Sequence, residues 1–171
     1  MNNPLYGSNK FDKAVGERLY TEAGTLREHE NTTDAADIGS YTIPADTLKV
    51  GDIVRIKAFC TVVDTNSTDT LTPILKFGGT AIATGAALDV ADDDIVYAWA
   101  DVHVTAIGSS GTMTAISEIR TDENGGTSVT AATNLTSKDT TGGLAVALNV
   151  DWSVAHADNE VRIDVLSVEL V

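Results

Sequence analysis

With one cysteine among 171 residues, the chain has no partner for an internal disulfide. Packing and hydrogen bonding must therefore hold the fold together. That residue, Cys60, sits in an apolar strand pattern and reads as a small buried hydrophobe rather than a reactive thiol. Histidine is almost as scarce, with His29, His103 and His156 only, and no Cys/His cluster has zinc spacing. Cations are few as well: 11 Lys and Arg stand against 25 Asp and Glu, for a net charge of −14. Such a surface repels polyanions, so neither nucleic acid nor an anionic membrane is expected as a partner. No stretch approaches the roughly 20 apolar residues of a membrane-spanning helix. The opening "MNNPLYGSNKFDKAVGERLY" lacks the apolar core of a secretory signal.

What the chain does have is alternation. Residues 1–16 show no period of 2 or 3.6 and read as an extended N-terminal arm, with Leu5, Tyr6 and Phe11 as isolated apolar anchors; a disordered terminus is the plain alternative. Residues 17–171 read as one sandwich domain. "ERLYTEAGTLREHE" suggests two short strands with a bend at Ala23-Gly24. Pro44 ends a strand, and Asp46 and Gly51-Asp52 supply turn chemistry. In the next strand Val54, Ile56, Ala58, Cys60 and Val62 face one way, while Ile53, Arg55, Lys57, Phe59 and Thr61 face the other. "TLTPILKFGGTAI" turns at Gly78-Gly79. From Ile95 on, Val96, Ala98, Ala100, Val102, Val104 and Ala106 share one face, and Tyr97, Trp99, Asp101 and His103 share the opposite one. "TMTAISEIRT" and "TSVTAATNLT" follow as strands, and "GLAVALNVDWSV" sets Leu144 through Val154 inward at every second position. In "EVRIDVLSVELV" the apolar face shifts from Val161, Ile163 and Val165 to Leu166, Val168 and Leu170, a phase slip that predicts a bulge. Eight to ten strands with Gly, Asn, Asp and Thr turns predict an all-β, antiparallel β-sandwich or barrel, with a jelly roll favoured at this length.

Chemistry is sparse. Asp101 and His103 share a strand face, but a triad would need Ser109 or Ser110, and no nucleophile-elbow pattern surrounds them. Asp92, Asp93 and Asp94, with Asp89, offer oxygens to calcium yet lack the EF-hand pattern, and a solvated turn is the simpler reading. "TDENGGTS" reads as a hairpin tip. Gly78-Gly79 and Gly142-Gly143 open no helix and make no phosphate cradle. The glycosylation-like triplets at Asn31, Asn66 and Asn134 are accidents of composition. No enzymatic activity and no cofactor are expected. Trp152 belongs with core residues. Tyr97 and Trp99, on a mixed face, are candidates for ligand binding or, in preference, subunit contact.

The segment "LYTEAGTL…IGSYTIPADTLKVGDIVRIKAF…TLTPILKFGGT", Leu19 to Thr80, resembles a recurrent segment of small structural proteins of tailed bacteriophages. The resemblance covers about a third of the chain and carries no catalytic residue. It implies a jelly roll or related sandwich. It further implies a capsid decoration (cement) protein, made in the host cytoplasm, that binds the major capsid protein on the outer surface of the virion as a homotrimer. A phage fibre, spike or receptor-binding sandwich is the alternative, and a carbohydrate-binding module the second alternative. A decoration role would rest on adhesion alone: Leu5, Tyr6 and Phe11 of the arm and the Tyr97/Trp99 face would supply the contacts.

Overall fold

The computed structural model describes residues 17–66, 68–121 and 128–171. The anchors Leu5, Tyr6 and Phe11 and the tip at 122–127 lie outside the described residues. The strands are β1 (Glu17–Glu30), β2 (Ala36–Ile43), β3 (Ile53–Asp64), β4 (Thr70–Phe77), β5 (Thr80–Thr84), β6 (Leu88–Asp89), β7 (Ile95–Ala106), β8 (Gly111–Thr121), β9 (Ser128–Lys138), β10 (Leu144–Trp152) and β11 (Glu160–Leu170). They form two antiparallel sheets, ordered β1-β11-β3-β7-β8-β9 and β2-β10-β4-β5, with the two-residue β6 paired to β4. The all-β sandwich is as the alternation requires. Four early strands cross from sheet to sheet in succession, and the last two, β10 and β11, return to lie between them.

The core is the sum of the inward faces. Val54, Ile56, Ala58, Cys60 and Val62 of β3 are completely buried, and they meet Leu71, Leu75 and Phe77 of β4 and Val146, Leu148 and Trp152 of β10. Burial, and Asp164 nearby, push the Cys60 thiol pKa far up, so it stays a neutral thiol. Gly78 and Gly79 turn β4 into β5 with positive φ, where a side chain would be strained. Pro73 sits inside β4, an unusual place. Its carbonyl accepts from the Gly85 N–H beyond the end of β5, so its missing donor faces a gap in the ladder.

Two strand boundaries and one side-chain direction differ from the sequence reading. β1 is one strand of 14 residues rather than two, although its pairing with β11 is irregular between Ala23 and Arg27. The bend predicted at Gly24 is thus absorbed as a ladder irregularity. β10 ends at Trp152, so Val154 is exposed instead of inward. In β11 the bulge is present, with Asp164 as the extra residue; Val165 lands opposite Phe59, on the outer face. Thr61 anchors the bulge by donating its hydroxyl to Asp164 at 2.6 Å.

Both long seams of the sandwich are closed by side chains. On one, Tyr20 of β1 stacks on Tyr41 of β2, with centroids 4.7 Å apart. On the other, a register shift in β5 leaves Ile82 outside the ladder, and the buried Ser117 hydroxyl of β8 donates to its carbonyl at 2.6 Å. Thr133 of β9 adds a second bond at 3.3 Å. At one end, Asn159 joins three loops. Its amide donates to Asp69 and to the Val154 carbonyl, each at 2.9 Å, and accepts from the Asn66 N–H at 3.0 Å. Its main-chain carbonyl accepts from the Asn31 N–H at 3.1 Å.

His29 of β1 is 5% exposed, and its Nε2 has no hydrogen-bond partner. Its pKa lies below the usual 6.5, because burial outweighs the opposing pull of Asp151 and Asp34. The folded protein therefore holds fewer protons here than the unfolded chain. This contribution to stability is complete above 6.5 and is lost as pH falls through that value toward the depressed folded pKa. Glu160 acts in the opposite sense, its pKa raised by desolvation and by Glu28 and Glu30. Comparison with a His29→Gln variant isolates the histidine. Between about pH 7.5 and 5.5 the variant's urea midpoint should fall less than the wild type's. Equal falls would rule His29 out as the source.

Candidate functional site

The outer face of the six-stranded sheet is built in rows by the register of its strands. In one row Arg55 of β3 lies opposite Asp101 of β7, and Asp101 opposite Ile116 of β8. The Arg55 guanidinium grips Asp101 with two bonds, at 2.9 and 2.8 Å. This bidentate pairing raises the Arg55 pKa further, and it occupies both Asp101 oxygens. Asp101 is thus held by Arg55, and among the described residues no hydrogen bond joins it to His103. In the next row Lys57 faces Trp99, and Trp99 faces Glu118, which accepts the indole N–H at 2.8 Å.

The third row carries the site. Val165 lies opposite Phe59, Phe59 opposite Tyr97, and Tyr97 opposite Arg120. The Phe59 and Tyr97 rings are tilted at 49° with centroids 4.7 Å apart, the geometry of a favourable aromatic pair. The Arg120 guanidinium lies over the Tyr97 ring, 5.0 Å from its centroid, within cation–π range. Ile95 and Thr121 complete an open depression of about 380 Å³. Phe59 is 37% exposed, and Ile95 is exposed too, so apolar surface is left in water here.

Charge singles out the same place. Arg18, Arg55, Lys76 and Arg162 each stand beside a carboxylate. Lys138 is bonded to the Gly78 carbonyl and to Thr80. Among the described residues, Lys57 and Arg120 have no carboxylate within ion-pair distance, and both flank the aromatic row. Lys49, in the turn before β3 at the other end of the sandwich, is in the same position.

The sequence candidates are thus separated. Tyr97 lines the depression, whereas Trp99 stands one row away with its N–H committed to Glu118. Phe59 and Arg120 were not singled out as site residues. Their strand faces were legible, but nothing local shows that either would lie beside Tyr97. The Asp-rich loop is a structural turn: Asp92 accepts from the Thr65 N–H at 2.9 Å and Asp94 from the Ala91 N–H at 2.7 Å. Among the described residues, no group of three or more His, Cys, Asp or Glu side chains is arranged to hold a metal.

No family model matches the chain, and no curated protein matches it in sequence. Among solved structures it is similar to the EclA C-terminal domain, described as a sugar-binding protein, at 14% identity and a TM-score of 0.41, covering 86% of this chain and 79% of that one. It is also similar to the CBM2 module of the evolved Dit of Lactobacillus casei BL23 phage J-1, at 12% identity and a TM-score of 0.29, covering 76% of this chain and 67% of that one. Superpositions this loose say nothing about a shared ligand.

Proposed function

We propose that this chain is a non-enzymatic recognition sandwich of the fibre, spike or receptor-binding kind found in phage structural proteins, and that it binds carbohydrate. The depression formed by Phe59, Tyr97 and Arg120 carries the reading. A half-exposed aromatic pair offers apolar surface for a sugar ring, and the neighbouring guanidinium offers directional donors. Its 380 Å³ falls within the roughly 300–1,000 Å³ of small-molecule sites. Among the described residues no nucleophile and base line it, which accords with holding a ligand.

A glycan array with the wild type and Tyr97→Ala tests this. The wild type should bind a subset of glycans, and the variant should bind them about tenfold or more weakly, the loss of roughly 1.4 kcal/mol expected for one ring. An array silent with the wild type would refute the reading.

A second reading keeps the support of the Leu19–Thr80 segment. In it the chain is a capsid decoration protein, a homotrimer on the outer virion surface that clamps the major capsid protein, and the Tyr97 face becomes a subunit contact. The wiring accords with it: β1, β11, β3 and β7 stand against β2, β10, β4 and β5 in the manner of a jelly roll, with β8 and β9 added at one edge. A trimeric mass by light scattering, with binding to assembled shells, would favour this second role.

A further inference from the structure

We infer that the ligand of the outer-sheet depression is an acidic saccharide, a sugar ring bearing a carboxylate. The inference rests on the carbohydrate reading above and adds the charge of the ligand. It starts from an imbalance. In a chain of net charge −14, four of the eight cations with described side chains, Lys49, Lys57, Arg120 and Lys138, still have no carboxylate of the described residues within ion-pair distance, against four that do. Two such cations, Lys57 and Arg120, bracket the exposed aromatic row. The one carboxylate between them on this face, Glu118, already accepts the Trp99 indole N–H.

Geometry matches the charge. A sugar ring lying against Phe59 and Tyr97 would present its edge to Arg120, whose planar fork suits a carboxylate better than a hydroxyl. Lys57 stands one row away in register with Trp99, placed to neutralise the same group from the other flank. The net negative charge opposes a long polyanion, but a single carboxylate in this position is governed by its near neighbours. Salt screens the more distant charges beyond about 8–10 Å. The chain's own leading segment is a poor occupant of the depression. Residues 1–16 carry Lys10 and Lys13 against Asp12, the same sign as Arg120 and Lys57. A second copy would bring a net charge of −14 to a surface of the same sign, so it is disfavoured at long range.

The test uses matched pairs of trisaccharides: gluco-, galacto- and mannuronate forms, and the same sugars with the carboxyl reduced to a primary alcohol. Calorimetric titration of the whole chain should show the acidic member of at least one pair binding about tenfold tighter than its neutral counterpart. Arg120→Gln should erase that preference, so that the acidic and neutral members of the pair bind equally; Arg120 is exposed, and its loss should not disturb the fold. Tyr97→Ala should weaken both members together. If the acidic and neutral sugars bind equally, or if Arg120→Gln leaves the preference intact, the acidic-saccharide inference fails while carbohydrate binding stands. If no saccharide binds, both fall, and self-association through Tyr97 on a sizing column becomes the account of this face.

Discussion

Replacing Trp152 by alanine is expected to lower the unfolding free energy by about 3–5 kcal/mol, the usual cost of truncating a buried aromatic ring. Trp152 is 1% exposed and among the largest fully buried side chains of the protein. It ends β10 in the five-stranded sheet, opposite Leu71 of β4. Its indole N–H reaches across the sandwich to the His29 carbonyl of β1, at 3.3 Å. The substitution therefore opens a cavity and also removes a bond between the two sheets at the strand that edges the larger one. A domain of this size has about 5–15 kcal/mol in all, so the loss would be a large fraction of it. Urea unfolding measures it. Trp152→Phe helps separate the two contributions, since it removes the hydrogen bond while leaving a much smaller cavity than alanine does. A loss below about 1 kcal/mol for the alanine variant would mean the sheets close without this residue.

Asn159→Ala is the second large effect, at about 3 kcal/mol, from several hydrogen bonds broken at once in a buried place. The side chain of Asn159 is fully buried and holds loops that are far apart in sequence: the Asn66–Asp69 segment, the Val154 turn and, through its backbone, Asn31. Truncation removes both amide donors and the amide acceptor. Asp69, itself 5% exposed, keeps only the longer bond from the Asn66 amide at 3.3 Å. A buried carboxylate short of donors is costly, which is why the expected effect exceeds that of a single hydrogen bond. Amide exchange should rise first in the residues flanking Asn31 and Asn66, since those loops lose their common anchor. A stability change within about 0.5 kcal/mol of zero would show that ordered water replaces the amide.

The two effects sit differently with respect to the sequence. The inward position of Trp152 follows from its place in "LAVALNVDW", where every second residue is apolar. Asn159 carries no such signal. It is one polar residue in "HADNE", indistinguishable there from a solvated turn, and its importance comes entirely from what three other segments bring to it.

The candidate site divides the same way. Alternation placed Phe59 outward on β3 and Tyr97 outward on β7, because side-chain direction in a strand is a local property that repeats every two residues. The bulge in β11 was legible for the same reason, as a break in that period, although alternation alone put Val165 on the wrong side of it. Strand identity, the buried Cys60, the Gly78-Gly79 turn and the all-β class were therefore set by the residues themselves. The partners of each strand were not. That Phe59 touches Tyr97, that Arg120 lies over that ring, and that Arg55 takes both oxygens of Asp101 all depend on register between strands distant in the chain. Register is chosen by the fit of the whole core and by where each bulge falls, and a shift of one residue would turn the aromatic row inward. The fold class is thus written in local period, whereas the site exists only once the sheet has assembled.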